Sequence, residues 1–417
     1  MDLRPRHRVV ITGMGAVTPL GNNVDEYWRG LKEGRSGVGR ITYFDASSYP
    51  CQIAAEVRNF DPSPFLDARD ARRMSRFIHY AIAATQMALQ QASLAIGDSN
   101  RDDVGVIYGS SVGSLTTTEK ETRVLVERGG MRINPFFLPM MLTNMAAAQI
   151  ARLWGARGPN YSTVTACASA THAIGEAVEA LRRGAAKVVI TGGSEASICE
   201  LGLATFCVLR ALSSRNGQPE RASRPFDLDR DGLVPGEGAA TLILETLENA
   251  RGRGVPILAE VVGYGASCDA YHPVAPDPDG QGAALAMQRA LDDAGLSPAD
   301  VDYINAHATS TTLGDVSETM AIKRVFGERA YAIPISATKS MIGHAMGAGG
   351  ALESIATIMT IRDGIIHPTI NYETPDPQCD LDCVPNRARA ARVETALCNS
   401  FGFGGHNAVL VFRAFRE

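Results

Sequence analysis

Apolar and polar positions alternate along the chain in a way that predicts strands followed by helices. The β-branched run RHRVVITGMGAV predicts a strand, and VDEYWRGLKEGRSG predicts a helix that Gly34 closes. The alternation continues through the first half in SRFIHYAIAATQMALQQAS (helix), DVGVIYGSSVG (strand), AAKVVITGGSEA (strand) and GAATLILETLENARGRG (strand, then helix). This order is typical of an α/β protein with parallel or mixed sheets.

The pattern starts again near residue 255. ILAEVVGYGASCDAYH predicts a strand, and GAALAMQRALDDAGLSPADVDYINAHATST predicts a helix, a turn and a strand. Both halves open with a valine-rich strand that runs into a G-x-G sequence, VVITGMG in one and EVVGYG in the other. We therefore expect an internal duplication, with an N-terminal half at residues 1–254 and a C-terminal half at residues 255–417.

Composition narrows the class of protein. The 417 residues are 45% apolar and 20% charged, which is typical of a soluble globular protein with more than one core. A net charge of -5 gives no overall electrostatic case for binding nucleic acid or a membrane surface. The chain has no apolar run of about 18 residues, and its start has no apolar signal segment of about 7–15 residues. We expect a cytoplasmic location.

The eight cysteines are scattered along a chain that is too large to need disulfide bonds for its stability. Cys379 and Cys383 lie four residues apart in QCDLDCVPN, but no second pair of cysteines or histidines accompanies them at zinc spacing. The sequence therefore predicts reduced thiols and no metal site.

One cysteine occupies a position suited to chemistry. In TVTACASATHAIGEA, Cys167 follows a β-branched run and begins a segment that predicts a helix ending at Gly184. The unpaired N–H groups at a helix start lower the pKa of a thiol and can receive a developing oxyanion. Cys167 is therefore either a nucleophile or one more buried, unreactive cysteine, and this segment alone leaves both open.

Two histidines and a lysine are further candidates. His307 in YINAHATST and His344 in KSMIGHAMGAGG each follow a short extended run and open a Gly- or Thr-rich turn. Taken singly, each could equally be a structural histidine. Lys339 lies in an apolar context that requires a counter-charge, and Glu353 is the nearest acidic residue along the chain, although a surface lysine remains the alternative.

The glycine-rich segments do not predict a nucleotide site. GMGAVT at residues 13–18 lacks the third glycine of a dinucleotide fingerprint, and GHAMGAGGA at 343–351 lacks the Gly-Lys-Ser/Thr that holds phosphates. NSFGFGGHN at 399–407 places glycines around two phenylalanines, which predicts either a mobile loop beside a site or simply a tight turn between strands.

As a set, these segments resemble the β-ketoacyl-acyl carrier protein synthases, most closely their elongating type II members. The resemblance covers nearly the whole chain. It rests on motifs in family order: VVITGMGAVTPLG, TACASATHAIGEA, SRPFDLDRDGLVPGEGAA, DAYH, NAHATST, ATKSMIGHAMGAGG and NSFGFGGHN.

The resemblance implies the thiolase fold, an α/β architecture with a duplicated five-layered αβαβα core and mixed sheets. It implies decarboxylative Claisen condensation, in which malonyl-acyl carrier protein extends an acyl group held as a thioester on Cys167 by two carbons. The partner is an acyl carrier protein that brings its own phosphopantetheine, so no bound cofactor is expected. The family also implies a homodimer.

Site residues follow from the resemblance by motif. The implied catalytic set is Cys167 as the acylated nucleophile, His307, His344, Lys339 and its acidic partner Glu353. The implied substrate contacts are Phe403 as gate and, with Cys167, as oxyanion hole, Thr309 and Thr311 for the phosphopantetheine arm, and Val112 and Phe206 for the acyl pocket. Preferred acyl length does not follow from two pocket residues.

An acidic carrier protein would need a basic surface to dock on. LDARDARRMSRF supplies Arg69, Arg72, Arg73 and Arg76 at i, i+3, i+4 and i+7, which predicts one helical stripe. The alternative is a solvated helix face in which Asp67 and Asp70 are the partners of these arginines.

Three other functions were weighed. A thiolase would need a second catalytic cysteine in the C-terminal loop, but GFGGHN contains none and Cys398 precedes it. A non-catalytic chain-length-factor-like partner would lack the nucleophile, whereas Cys167, His307 and His344 are all present. The third alternative, a ketosynthase of a polyketide or specialised lipid pathway, is not excluded by the sequence.

Two residues depart from the commonest family pattern. Ala308 stands where glycine is commonest and His406 where threonine is commonest, and both positions are non-catalytic in the family.

Overall fold

Fourteen strands and thirteen helices make up residues 7–417, the part of the chain that the computed structural model describes. The strands are β1 (Val9–Val17), β2 (Gly39–Arg40), β3 (Ile53–Ala54), β4 (Val104–Gly109), β5 (Asn160–Thr163), β6 (Val188–Glu195), β7 (Gly238–Thr246), β8 (Ala259–Cys268), β9 (Tyr303–Asn305), β10 (Ile335–Ser336), β11 (Ile365–Ile366), β12 (Arg389–Ala390), β13 (Thr395–Gly402) and β14 (His406–Arg413). The helices are α1 (Val24–Lys32), α2 (Ala68–Ala71), α3 (Arg76–Gln91), α4 (Leu115–Arg128), α5 (Phe137–Met141), α6 (Met145–Trp154), α7 (Ser169–Arg182), α8 (Glu200–Val208), α9 (Leu247–Arg253), α10 (Gln281–Ala294), α11 (Gly314–Phe326), α12 (Lys339–Ile342) and α13 (Gly349–Asp363).

Ten strands form one mixed sheet that consists of two half-sheets with the same topology. The first half-sheet has the order β5-β4-β6-β7-β1, and the second has the order β10-β9-β13-β14-β8. In each, the first three strands are parallel and the last two pair antiparallel. Numbered along its own half of the chain, each half-sheet reads third, second, fourth, fifth, first. This repeated order confirms the duplicated core, while the division at residue 254 stays a prediction.

The two half-sheets enclose a central layer of helices. They join where Val9–Ile11 of β1 pair with Ala259–Val261 of β8. Helix α7 contacts β4 and β6 on one side and β8 and β14 on the other, and α13 contacts both β7 and β13. Helices α3 and α6 pack on the first half-sheet, and α10, with α11 beside it, packs on the second. The result is the five-layered αβαβα arrangement that the family resemblance implied.

The central helices are buried and approach each other closely. Residues 349–360 of α13 are all buried, which explains why its sequence is apolar on every side rather than along one stripe. A Cβ atom on Gly350 would lie 1.9 Å from Oγ1 of Thr171 in α7, so a side chain there would push the two helices apart. The starts of these two helices are therefore held together. Within residues 7–417, the length and apolar character that a bilayer-crossing helix needs are not found together in any helix.

Candidate active site

A cavity of about 300 Å³ opens where the starts of α7 and α13 meet. Its walls bring together seven of the residues expected from the sequence: Cys167, Phe206, His307, Thr309, Thr311, His344 and Phe403. Cys167 comes from the first half of the chain, whereas both histidines come from the second. The site therefore depends on the duplicated fold to bring the halves into contact.

Cys167 lies in a tight turn rather than at the first position of a helix. Residues 166–168 form a 3₁₀ turn, and α7 begins at Ser169, two residues later than expected. Ala166 has a φ of 50°, a left-handed conformation that non-glycine residues adopt rarely and often at functional sites. Gly184 has a φ of 72°, as expected for a residue that closes the helix. The thiol side chain is only 8% exposed.

The expected lowering of the Cys167 pKa is wrong. Burial raises the pKa of this thiol to about 11 and outweighs the lowering effects of the Lys339 charge and the Phe403 backbone N–H. The physical reason is desolvation, because a thiolate inside the protein loses more hydration than nearby dipoles and charges return. At physiological pH, Cys167 is therefore a neutral thiol.

We expect the alkylation of Cys167 by iodoacetamide to accelerate about tenfold per pH unit from pH 7 to pH 9, because the thiolate fraction rises in that proportion below a pKa of about 11. Mass spectrometry of the Cys167 peptide after timed exposure gives the rate at each pH. A rate that levels off near pH 8 would contradict the raised pKa. The exposed Cys268 serves as the internal comparison in the same sample.

His307 and His344 form a pair of uncharged imidazoles. Their ring centroids are 5.4 Å apart and the rings are nearly perpendicular, at 86°. Burial, and after it the Lys339 charge, lower the pKa of both rings well below the usual value, so both are neutral at physiological pH. Neither ring nitrogen of His344 bonds to another described residue. The His344 ring, which lines the cavity, therefore has hydrogen-bonding capacity that the described residues do not use.

A buried ion pair fixes the proton on His307. Lys339 and Glu353 are 2% and 1% exposed and form a short ion pair, which confirms that this lysine is not on the surface. The Lys339 ammonium also contacts Nδ1 of His307 at 3.3 Å. Because an ammonium group only donates, Nδ1 must accept, and the ring proton is placed on Nε2.

Glu318 was not singled out from the sequence, although it supports the same histidine. Its carboxylate accepts the backbone N–H groups of His307 at 2.9 Å and Ala308 at 2.7 Å, and the Asn399 amide at 3.0 Å. Glu318 is buried in α11, eleven residues after His307. The only signal in the sequence was an acidic residue on the inner face of the helix that follows the NAHATST turn.

The mouth of the cavity is polar. Oγ1 of Thr309 and Oγ1 of Thr311 lie 3.1 Å apart on one wall. Arg210, which the sequence did not point to, is exposed at the same opening. The NSFGFGGHN segment forms the tight turn between β13 and β14 and also lines the cavity, so it is a tightly turned loop beside the site rather than only a connection between strands.

Of the two residues predicted for the acyl pocket, one lines the cavity and the other does not. Phe206 lines the cavity, with its ring centroid 6.4 Å from that of Phe403, and also borders a small second cavity walled by apolar residues that include Leu203 and Met346. Val112 lies on the wall of neither cavity. It is 47% exposed on the turn before α4, which faces outward. Within one chain, the expected pocket role of Val112 is therefore not met.

The arginine stripe is not continuous. Helix α2 ends at Ala71 and α3 begins at Arg76, so the four arginines do not share one helix face. Arg76 forms an ion pair with the buried Glu237 at 2.8 Å and lies over the Tyr43 ring, which removes it from any docking surface. Arg73 packs over the Phe136 ring.

The remaining arginines are accessible. Arg69 and Arg72 are exposed, while Asp67 caps α2 and Asp70 pairs with Arg152 at 2.6 Å. Among the described residues neither acidic residue forms an ion pair with Arg69 or Arg72, although the pKa of the Asp67 carboxylate is lowered by the backbone N–H of Asp70 and, after it, by the Arg69 charge. A smaller basic patch made of Arg69 and Arg72, with Arg73 beside it, remains.

No metal centre is formed by the described residues. Within residues 7–417, no three His, Cys, Asp or Glu side chains are grouped to hold an ion. Cys379 and Cys383 are buried free thiols, as are most of the eight cysteines.

Family models identify the chain. Residues 6–250 match the model of the β-ketoacyl synthase N-terminal domain, and residues 258–373 match that of the C-terminal domain. The chain belongs to the β-ketoacyl synthase family. Among its relatives, 3-oxoacyl-[acyl-carrier-protein] synthase 2 of Synechocystis sp. is 52% identical over 99% of both chains. The protein of the same name from Staphylococcus aureus is 49% identical over 98% of both chains.

Solved structures of β-ketoacyl synthases share the fold. A β-ketoacyl synthase from Burkholderia phymatum is 41% identical, with a TM-score of 0.91 over 98% of this chain and 100% of that one. The ishigamide ketosynthase/chain length factor is 38% identical, with a TM-score of 0.92 over 99% of this chain and 100% of that one. These similarities agree with the thiolase fold expected from the sequence.

Proposed function

We propose that this β-ketoacyl synthase is an acyltransferase that condenses malonyl-acyl carrier protein with an acyl group held on Cys167, in fatty acid elongation. The observation that carries the proposal is the cavity itself. It places a thiol beside two neutral imidazoles, one of which has both ring nitrogens free. A nucleophile that stores an acyl group and two donors that stabilise an enolate are what this reaction requires.

The first step is thioester exchange. The Cys167 sulfur attacks the acyl thioester carbonyl, the bond to the carrier thiol breaks, and that thiol leaves with the proton that Cys167 gives up. The Phe403 backbone N–H, which points at the sulfur, and the N–H of Cys167 are placed to receive the negative oxygen. The exchange replaces one thioester with another, so little free energy is needed.

The second step is decarboxylation. When a malonyl thioester loses carbon dioxide, the electron pair of the broken C–C bond is delocalised onto the thioester oxygen. The Nε2–H of His307 and an N–H of His344 can donate to that oxygen. The resulting enolate carbon attacks the acyl-Cys167 carbonyl to form the new carbon–carbon bond. The tetrahedral intermediate then collapses, and the sulfur leaves as a thiolate that takes up a proton from water to restore the neutral thiol. Neutral rings suit this role because a charged imidazolium would protonate the enolate.

The mouth is suited to an arm delivered by a carrier protein. Thr309 and Thr311 present hydroxyl groups to a phosphopantetheine chain, which arrives with its carrier and so requires no resident cofactor. A structural relative at 37% identity and a TM-score of 0.91, with 99% of this chain and 100% of that one covered, is a type II polyketide synthase acyl-carrier protein in complex with its ketosynthase. We assign the acyl carrier protein as the partner of this chain on these grounds.

Reversing the charge of Arg69 and Arg72 to glutamate is expected to raise KM for the acyl-carrier protein about tenfold at low salt, with kcat little changed. The two exposed guanidinium groups attract an acidic carrier without touching the reacting atoms. Steady-state kinetics at low and high ionic strength measure the effect, which should shrink as salt screens the charges. Arg157→Glu, at an exposed arginine paired with Asp102, is the control. An unchanged KM at low salt would remove the patch from the docking surface.

A second copy of the chain is part of the proposal. Strand β5 forms one edge of the sheet, and exposed apolar side chains cluster between residues 112 and 142. Among them, Val126 is 79% and Met131 98% exposed. A homodimer formed along this edge would cover these side chains and could enclose Val112 in an acyl pocket shared by two chains. Light scattering is expected to give the mass of two chains.

Condensation of malonyl-carrier protein with acyl-carrier proteins of graded length tests the function. A β-ketoacyl product two carbons longer supports it, and the absence of product with every length contradicts it. A polyketide ketosynthase would instead accept its own β-ketoacyl product for several rounds. The identity to the fatty acid enzymes, near 50%, favours single elongation over that alternative. The retained Cys167 argues against a chain-length factor.

A further inference from the structure

Glu195 is a buried carboxylate that the condensation steps do not use. It is the last residue of β6 and is completely shielded from solvent. Burial raises its pKa to about 7, and its negative charge in turn acts on the Cys167 thiol. A carboxylate buried this deeply is costly unless it makes several hydrogen bonds, so its partners indicate its role.

One oxygen of Glu195 ties two turns together. Oε2 accepts the backbone N–H of Ser111 at 2.9 Å, the Ser111 hydroxyl, and the backbone N–H of Gly347 at 3.2 Å. Ser111 follows β4, and Gly347 lies in the 3₁₀ turn of residues 346–348. Oε1 accepts no hydrogen bond from the described residues. The three bonds therefore share one acceptor atom, and the backbone N–H of Val112 also favours the charged carboxylate.

The contact between these turns is tight. A Cβ atom on Gly347 would lie 2.3 Å from the Ser111 nitrogen and 2.8 Å from Oε2 of Glu195. Only glycine fits at this position. The neighbouring Met346 has a φ of 42° and forms part of the wall of both cavities, and His344 precedes it by two residues. The 346–348 turn also contacts the 166–168 turn that carries Cys167.

The duplication places this cluster at the counterpart of the active site. Cys167 and Gly347 are each the middle residue of a 3₁₀ turn that leads into a central helix. His307 and Ser111 each lie two residues after the second strand of their half-sheet. Where the second half-sheet contributes the Phe403 turn to Cys167, the first contributes Glu195 to Gly347. The fold thus builds two equivalent positions, one open and reactive and the other closed by a carboxylate.

We propose that Glu195 is a positioning residue of the condensation: its carboxylate holds the 110–112 and 346–348 turns together and so fixes His344 and Met346 against the turn of Cys167. The inference rests on the proposed function, since it assigns Glu195 a part in that reaction. We call this contact of Glu195 with the 110–112 and 346–348 turns the clamp. A displacement of the histidine by about 1 Å is enough to slow an enzyme by about 10²-fold, so losing the clamp should lower the reaction rate measurably.

Comparing Glu195→Gln with Glu195→Leu tests the clamp. A glutamine keeps one acceptor oxygen in the place of Oε2, whereas leucine has similar bulk and no acceptor. We expect Glu195→Leu to lower kcat about 10–10²-fold with KM for the carrier changed less than about threefold. Glu195→Gln should recover most of that loss. The control is Glu245→Leu, at a buried carboxylate on the adjacent β7 that lies outside the site.

Hydrogen exchange measures whether the two turns are held together, independently of catalysis. The amides of Ser111 and Gly347 should exchange faster in Glu195→Leu than in the wild type or in Glu195→Gln. If Glu195→Leu does not fold, Gly347→Ala forces the same turns apart and should give the same loss of kcat. A wild-type kcat in Glu195→Leu, or equal losses in the leucine and glutamine variants, overturns the inference. If the wild type does not condense, but the Ser111 and Gly347 amides still exchange faster in Glu195→Leu than in the wild type, the proposed function is wrong and the structural role of Glu195 in joining the two turns is supported.

Discussion

Replacing His307 with alanine is expected to abolish condensation while Cys167 is still acylated. In the proposed reaction the ring donates Nε2–H to the enolate oxygen, and a single such donor is worth about 10²–10³ in rate. Removing the ring also removes the contact between the Lys339 ammonium and Nδ1. Labelled acyl transfer to the Cys167 peptide and formation of the β-ketoacyl product are measured separately.

The control for this variant is His79→Ala. His79 is a half-buried histidine of α3 whose ring bonds to the Ala71 carbonyl, away from the cavity. At saturating carrier protein it should keep the wild-type kcat. Unaltered turnover in His307→Ala would end the assignment of this histidine to the reaction.

Lys339→Met is expected to lower the free energy of unfolding by about 3–5 kcal/mol, because the Glu353 carboxylate is left buried without its cation. Activity should fall as well, since nothing then holds the proton of His307 on Nε2. Urea denaturation followed by circular dichroism measures the stability, and the condensation assay measures the activity. Both losses come from the same ion pair.

The double variant Lys339→Met/Glu353→Gln separates charge from packing. Neutralising the carboxylate should restore much of the stability but not the activity. Lys187→Met removes an exposed ion pair with Asp103 and should cost less than about 1 kcal/mol. A Lys339→Met variant as stable as Lys187→Met would show that the buried pair does not contribute as described.

The order of strands and helices could be predicted because each half repeats the same periodicities. β-branched runs became β1, β4, β6 and β8, and the helix expected after GHAMGAGG became α13. Cys167 could be singled out because it begins a predicted helix, and His307 and His344 because each opens a Gly- or Thr-rich turn rather than lying on a helix face. Their catalytic roles came only from the family resemblance. Their assembly into one cavity follows from the sheet topology, which the family resemblance supplied and local periodicity does not contain.

Three findings lay beyond the sequence for physical reasons. The Cys167 pKa depends on desolvation, which is set by packing from both halves. The prediction of one continuous arginine stripe was wrong because the buried Ser75, which bonds to the Met140 carbonyl, starts a new helix. Glu195 and Gly347 lie 152 residues apart, and only the fold makes them neighbours. Spacing rules describe one helix or turn, and none of these contacts is local.

The high pKa of the nucleophile also bears on how the protein survives between turnovers. With a pKa of about 11, roughly one molecule in 10⁴ carries the thiolate at pH 7. Oxidants and stray electrophiles attack the thiolate, and the thiol itself is nearly inert. The penalty of this high pKa is smaller for a thioester in the proposed exchange, because the departing carrier sulfur takes up the proton that Cys167 gives up, whereas an alkylating agent or oxidant offers no such acceptor. Chemical endurance and selectivity for the acyl donor thus come from the same desolvated sulfur.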